Sequence, residues 1–362
     1  MSDEKKYWLG FNIVPRIGPV RFRALLEQFG SLEAAWHAPA AHLESAGLDR
    51  RAIENVVAAR ADLSLDDEWA KLAAHQVHLL TWQDAAYPRL LKEADDAPPV
   101  LYVKGELSAA DDWAVAVVGT RRATTYGREV ALQLATGLAH NNITVVSGLA
   151  RGIDGIAHKA ALDAGGRTIA VLGCGLDVIY PPEHRALAEA ITRSGALVSD
   201  YPLGTQPDAH NFPPRNRIIS GLTLGSVIVE GDEQSGAMIT ARFALEQGRD
   251  VFAVPGNITY RHSRGTNKLI QNGEAKLILS VEDILVELNL SMVEQQTVMR
   301  EIIPENDTEE RVLRLLSAEP LHIDELRRRA NLPIAEISSA LALMELKGMV
   351  RQVGGMNYVL AR

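Results

Sequence analysis

Two short segments of this chain concentrate side chains that bind oxyanions. Gly119-Thr120-Arg121-Arg122-Ala123-Thr124-Thr125-Tyr126-Gly127 sets a hydroxyl and two guanidinium groups between glycines. Asn211-Phe212-Pro213-Pro214-Arg215-Asn216-Arg217 places two arginines around an asparagine where a helix is expected to begin. Guanidinium is a planar fork of N–H donors that matches phosphate, and glycine lets a ligand approach the backbone. Arg121, Arg122, Arg215 and Arg217 are therefore candidate phosphate contacts, with Gly119 giving access and Thr120 a hydroxyl. Asn216 can hydrogen-bond sugar, phosphate or a neighbouring loop, and Phe212 is either a stacking face for an unpaired base or a core aromatic.

Three further segments share this character. Ser147-Gly148-Leu149-Ala150-Arg151-Gly152-Ile153-Asp154 combines small residues with Arg151, and Ser235-Gly236 opens a helix whose first N–H groups are free to meet an anion. Arg261-His262-Ser263-Arg264-Gly265-Thr266-Asn267-Lys268 adds a local basic cluster. None of these is a familiar nucleotide fingerprint. Gly127 is followed by Arg128 rather than Lys-Ser or Lys-Thr, which excludes a Walker A loop, and Gly173-Cys174-Gly175 has Val178 where the dinucleotide motif needs its last glycine. Asp154 and His158, four apart on one helix face, are either an acid–base pair or an N-cap with a packing histidine. Glu230, Asp232 and Glu233 have no histidine or further carboxylate at ligand spacing and read as solvated loop charges. No metal, cofactor or catalytic residue is expected, and the single cysteine, Cys174, rules out an internal disulfide or a Cys-rich zinc site.

These loops need strands to carry them. Apolar runs at 114–118, 143–146, 168–172, 196–198, 226–229, 251–254 and 275–279 alternate with helical stretches. That grammar predicts an α/β fold, a Rossmann-like, doubly wound and mostly parallel sheet, whose ligands bind outside the carboxyl ends of the strands. Residues 76–290 form this core. Residues 1–75 predict a small all-α domain, with Gly30 as a helix stop and Ser31 as the next N-cap. The Val14-Pro15-Arg16-Ile17-Gly18-Pro19 turn is either ordinary packing or a partial helix-hairpin-helix. Prolines between 62 and 112 predict an extended bridge with a short edge strand at 100–103. A polar linker spans 291–306, and 307–362 reads as three helices and a glycine-turned hairpin, a winged helix.

The net charge of −9 excludes a protein that coats nucleic acid by bulk attraction, so any such binding must use a local basic site. The first residues carry no apolar signal segment and no run is long enough to span a bilayer, which fits a cytoplasmic protein without a membrane partner.

In order and spacing, Val118-Gly119-Thr120-Arg121-Arg122-Ala123-Thr124, the 147–154 segment, Phe212-Pro213-Pro214-Arg215-Asn216-Arg217-Ile218-Ile219, Ser235-Gly236 and Val254-Pro255-Gly256 closely resemble the DprA/Smf family of DNA-processing proteins. The resemblance covers about 100–288, and a sterile-alpha-motif-like front and a winged-helix tail are familiar family additions. It implies a non-enzymatic mediator that binds single-stranded DNA, dimerises through the Rossmann-like domain and helps load RecA onto DNA taken up in natural transformation. It also implies a binding pocket at Gly119-Thr120-Arg121 and around Phe212 to Arg217. Together with the residue reading, the DNA-binding set is Gly119, Thr120, Arg121, Arg122, Ser147, Gly148, Arg151, Phe212, Arg215, Asn216, Arg217, Ser235, Gly236 and Lys268. Family members often carry a lysine in or just before the Phe-Pro loop, where this chain has Asp208, Ala209, His210 and Pro214. The alternative is a nucleotide-processing hydrolase using the same loops, with Asp154 or Glu230 as its carboxylate. The acidic third helix of the tail is a poor DNA face and points to a protein contact.

Overall fold

A computed structural model describes residues 2–290, 307–317, 321–346 and 350–360. The chain divides into two compact units, Met1–Ile284 and Leu285–Arg362. The linker expected at 291–306 lies outside the described residues.

The first unit opens with six helices, α1 (Ser2–Ile13), α2 (Pro19–Phe29), α3 (Leu32–His37), α4 (Ala40–Ser45), α5 (Arg50–Asp62) and α6 (Leu65–Ala74). Gly30 ends α2 at φ 74°, and the Ser31 side chain accepts from Ala34 N to start α3, as their residue types require. The spacing of Val20, Phe22, Leu25, Leu26 and Phe29 predicts one apolar face for α2, but Val20 is 76% exposed. The 62–112 stretch also differs from expectation, because α6 occupies part of it. The hairpin-like turn offers no free cations: Arg16 and Arg21 both reach Asp49 Oδ2, at 3.0 and 2.5 Å.

A nine-stranded sheet follows: β1 (His78–Thr81), β2 (Val100–Gly105), β3 (Ala114–Val118), β4 (Thr144–Ser147), β5 (Thr168–Val171), β6 (Ala196–Ser199), β7 (Gly225–Ile228), β8 (Asp250–Ala253) and β9 (Lys276–Leu277). The spatial order is β1-β2-β6-β5-β4-β3-β7-β8-β9. Pairing is parallel from β6 to β9, while β2 is antiparallel to both β1 and β6. The expected edge strand β2 is thus internal, because β1, only four residues long, covers it.

The connecting helices are α7 (Arg89–Lys92), α8 (Thr125–His140), α9 (Ile153–Asp163), α10 (Arg185–Ser194), α11 (Phe212–Gly221), α12 (Gly236–Glu246) and α13 (Arg264–Gln271), with α14 (Val281–Glu287) last. Alternate residues of each strand enter two different cores, as a pleat buried on both faces demands. Val100, Tyr102, Ala170 and Leu197 pack with Trp8 and Phe22 of the front helices. Leu101, Val103, Ile169 and Val198 pack with Ile218 and Ala241 of α11 and α12. The front helices therefore share one continuous core with a face of the sheet. Strand order reverses between β3 and β7, which makes their carboxyl ends the topological switch point.

At the β1 edge three outward backbone groups are already engaged. Lys5 Nζ donates to Leu79 O at 3.3 Å, Thr81 N donates to Asp84 Oδ2 at 2.7 Å, and Asp84 N donates to Thr81 O at 3.0 Å. Lys5 and Asp84 form an ion pair at 2.7 Å across these groups.

The second unit contains α15 (Asp307–Leu315), α16 (Ile323–Ala330) and α17 (Ile334–Leu346) with a small sheet of β10 (Leu321–His322), β11 (Val350–Gln352) and β12 (Asn357–Leu360). Val312, Leu326, Ile337, Leu341, Met344 and Val350 form its core. The β11–β12 turn uses Gly354 and Gly355 at positive φ, and the three helices and wing make a winged helix as expected, with β10 an unexpected third strand. Among the described residues no helix is long and apolar enough to cross a membrane.

Candidate nucleic-acid interface

A cavity of about 620 Å³ opens at the switch point, between the loop after β3, the start of α11 and the start of α12. Gly119, Thr120, Arg121 and Arg122 line it from the first, Phe212, Arg215 and Asn216 from the second, and Ser235 and Gly236 from the third. Asp154 and Tyr180 complete the walls used below. The cavity is the size of a small-ligand site.

Arg121 and Arg122 are exposed at its rim. Arg121 Cζ lies 5.2 Å from the centroid of the Phe212 ring, a cation–π arrangement. Phe212 also meets Tyr180, with centroids 5.7 Å apart and planes at 31°. The ring thus sits at the pocket wall, half-buried, between an arginine and a tyrosine. The loop carrying the arginines abuts the loop after β4, and Gly152 makes this possible. It adopts φ 78°, and a Cβ there would lie 2.3 Å from Thr120 O.

The helix start behind the β3 loop and the one at α12 differ. The start of α8 is already occupied: Thr124 Oγ1 accepts from Gly127 N at 3.1 Å, and Glu230 accepts from Thr124 N at 3.0 Å. The anion-attracting end expected behind Arg122 is therefore filled by the protein itself. At α12 the Ser235 Oγ is buried without a partner, and nothing stands within 4 Å of where a Gly236 Cβ would be. This second N-terminus is open to an anion.

The arginines of α11 do not resemble those of the β3 loop. Arg215 is 4% exposed. Its Nη1 donates to Gly148 O at 2.9 Å and to Val171 O, while its Nε is buried with no acceptor. Asp154, also buried, accepts through Oδ2 from Gly148 N at 3.1 Å and Ala150 N at 3.4 Å. A Cβ at Gly148 would lie 2.8 Å from both Arg215 Nη2 and Asp154 Oδ2, so only glycine fits between them. Burial pushes the Asp154 carboxyl up, opposed by Arg215, and pushes the Arg215 guanidinium down, opposed by Asp154. Arg217 lies outside the cavity, with Nη2 donating to Asp200 Oδ2 at 2.6 Å and Nη1 to Asp96 O. Asn216 Nδ2 donates to Gly236 O at 3.1 Å, which ties α11 to the first residue of α12.

Three other candidates stand apart. Ser147 is buried and donates to Val117 O at 2.7 Å; Arg151 Nε pairs with Glu183 Oε1 at 2.5 Å. Lys268 lines a separate cavity of about 400 Å³ with Glu233 and Arg242. Where a lysine is common in the family, Asp208 Oδ1 and His210 Nδ1 pair at 2.8 Å. Asp154 is not the N-cap of α9, a place held by Gly152. His158 is buried against Thr168 Oγ1 at 2.7 Å, and burial, with His184 and Arg215 nearby, pushes its pKa down to about 3. Glu230 corrects the reading of the acidic loop: it is 3% exposed and bonded to Thr124, not solvated. Its only signal in the sequence is a carboxylate directly after an apolar strand run. Tyr180 was signalled by nothing but its aromatic type. Among the described residues no three His, Cys, Asp or Glu side chains group to hold a metal.

Fold and site together define a Rossmann-like protein with an arginine-rimmed cavity at its switch point, joined to a winged helix. Residues 78–289 match the family of DNA recombination-mediator protein A, and residues 299–356 match the DprA winged helix domain. The chain belongs to this DprA/Smf family. It is 36% identical to Protein Smf of Synechocystis sp. over 99% of both chains, and 38% identical to Protein Smf of Escherichia coli over 90% of this chain and 88% of that one. Among solved structures it is similar to DNA processing protein A from Streptococcus pneumoniae, at 35% identity and a TM-score of 0.68, covering 78% of this chain and 97% of that one. It is also similar to DNA processing protein A from Helicobacter pylori, whose structure is described for its single-stranded DNA binding mode. There the identity is 32% and the TM-score 0.53, over 59% of this chain and 95% of that one.

Proposed function

We propose that the switch-point cavity binds single-stranded DNA and that the protein is a non-enzymatic, cytoplasmic mediator of recombination. In this role it helps load RecA onto DNA taken up in natural transformation. The observation that carries the reading is the pairing of two exposed guanidinium groups, Arg121 and Arg122, with an open helix start at Ser235 and Gly236 in one cavity. The unspent Arg215 Nε in the same cavity adds a buried donor. Phosphates would be gripped at the rim and at α12, and the wall ring of Phe212 would meet a base only where bases are unstacked. Self-association through the Rossmann-like domain is supported by Leu277 and Leu279, exposed apolar side chains at and beyond the β9 edge.

A gel shift with oligo-dT against duplex of the same length, at several salt concentrations, tests the reading. Preference for oligo-dT, weakening with salt and lost in Arg121→Ala plus Arg122→Ala, is expected. Equal weak binding to both, unchanged in the double variant, overturns it. Asp154, a carboxylate in the cavity wall, keeps the hydrolase reading testable: release of base or phosphate from nucleoside monophosphates would favour it.

A further inference from the structure

Glu230 follows β7, across the switch point from the arginines, and does not line the cavity wall. It is nonetheless the residue that ties down the segment carrying them. Its main-chain oxygen accepts from Thr120 N at 2.8 Å. Its carboxylate accepts twice from Thr124, Oε2 from the backbone N at 3.0 Å and Oε1 from the hydroxyl at 2.6 Å. Thr120 and Thr124 bracket Arg121, Arg122 and Ala123, so one buried residue fixes both ends of the rim. The side chain lies flush on the first turn of α8, where a Cβ on Gly127 would stand 2.1 Å from Oε2. A carboxylate suits that place because both its oxygens face donors and the helix start favours negative charge.

We propose, resting on the single-strand reading above, that Glu230 is a positioning residue that pre-organises Arg121 and Arg122 for phosphate. A loop held in its bound conformation avoids the ordering cost of binding, so the arginines grip more tightly than on a free loop. Glutamine keeps one acceptor but leaves either the Thr124 N–H or the Thr124 hydroxyl hydrogen without one; alanine removes both bonds to Thr124 and keeps only the main-chain bond to Thr120.

The test is a double-mutant cycle on oligo-dT affinity, measured by fluorescence anisotropy across a salt series. The arms are wild type, Glu230→Ala, Arg121→Ala plus Arg122→Ala, and the triple variant. Glu230→Ala should weaken binding by roughly tenfold and flatten the salt dependence, because it acts through the arginines. The triple variant should bind no more weakly than the arginine variant, and Glu230→Gln should recover part of the loss. Effects that multiply in the triple variant, or wild-type affinity in Glu230→Ala, overturn the proposal. Urea unfolding midpoints report whether each variant is folded. Should Glu230→Ala unfold, Glu230→Gln, which keeps the side chain's shape and one acceptor, takes its place in the cycle under the same criteria. A wild type without preference for oligo-dT would sink the single-strand reading itself; a wild type that binds, with multiplying variants, sinks the positioning role alone.

Discussion

The two arginine-bearing segments are near-twins as text and opposites as structure. Arg121 and Arg122 stand exposed at the cavity rim, whereas Arg215 is buried against the carbonyls of Gly148 and Val171 and Arg217 is locked to Asp200. The β3 loop is connected to the sheet through its backbone and Thr124, which leaves its guanidinium groups for a ligand. On α11 the long side chains themselves make the connections. A guanidinium has five donors, and where backbone carbonyls or a carboxylate already take them, it is spent on architecture. Residue type decides which chemistry is available; burial decides who receives it.

The contrast can be broken in three places. The largest effect belongs to Arg215→Ala, which strips two buried carbonyls and Asp154 of their partner; a loss of about 3 kcal/mol in urea unfolding is expected. Arg217→Ala should cost about 2 kcal/mol through its bond to Asp200 while leaving the salt slope of DNA binding intact. A stability within ~0.5 kcal/mol of wild type for both would show that α11 does not depend on its arginines.

Arg121→Ala reverses this profile. Its stability should be unchanged, while oligo-dT affinity falls about fivefold and the logarithmic salt slope shrinks by roughly 0.7, the value of one phosphate on a single strand. An unchanged slope would remove Arg121 from the phosphate contacts.

Acid should separate the two regions more gently. His158 has a folded pKa near 3 against an ordinary 6.5, so its neutral burial contributes fully above pH 6.5 and is lost as pH falls from 6.5 towards 3. Between pH 7 and 6 the loss is about 0.7 kcal/mol. Urea midpoints should therefore show a pH slope that is smaller in His158→Gln, and equal slopes in both proteins would contradict the assignment.

Much of this was legible in the sequence. Strand runs such as 114–118 are apolar without alternation because both faces of the sheet are covered, and the loop after 114–118 lines the switch-point cavity. Gly30, Ser31 and the Gly354-Gly355 turn announced themselves because each satisfies a local rule of backbone geometry. What was hidden is non-local. β1 and β10, of four and two residues, are too short to show a period and exist only through their partners. Val20 fits the apolar spacing of α2 but stands exposed, while Phe22 and Leu25 of the same helix are buried. Glu230 looks solvated until Thr124, 106 residues earlier, is seen beside it. Arg215 and Arg217 carry the right chemistry for phosphate, and no spacing rule shows that backbone carbonyls and Asp200 take part of their donor sets.

The clip at β1 has a consequence for how copies of the molecule can join. With Lys5 and Asp84 occupying Leu79 O and both backbone groups of Thr81, that margin of the sheet is a blunted template for another strand. Any sheet-extending association is confined to the β9 side, and a unit with one usable margin can join a single like neighbour and then stops. Two usable margins would permit head-to-tail growth into fibres; one enforces closure by two-fold symmetry. A pair of residues far from the cavity thus acts as a terminator, limiting strand-mediated assembly to two subunits.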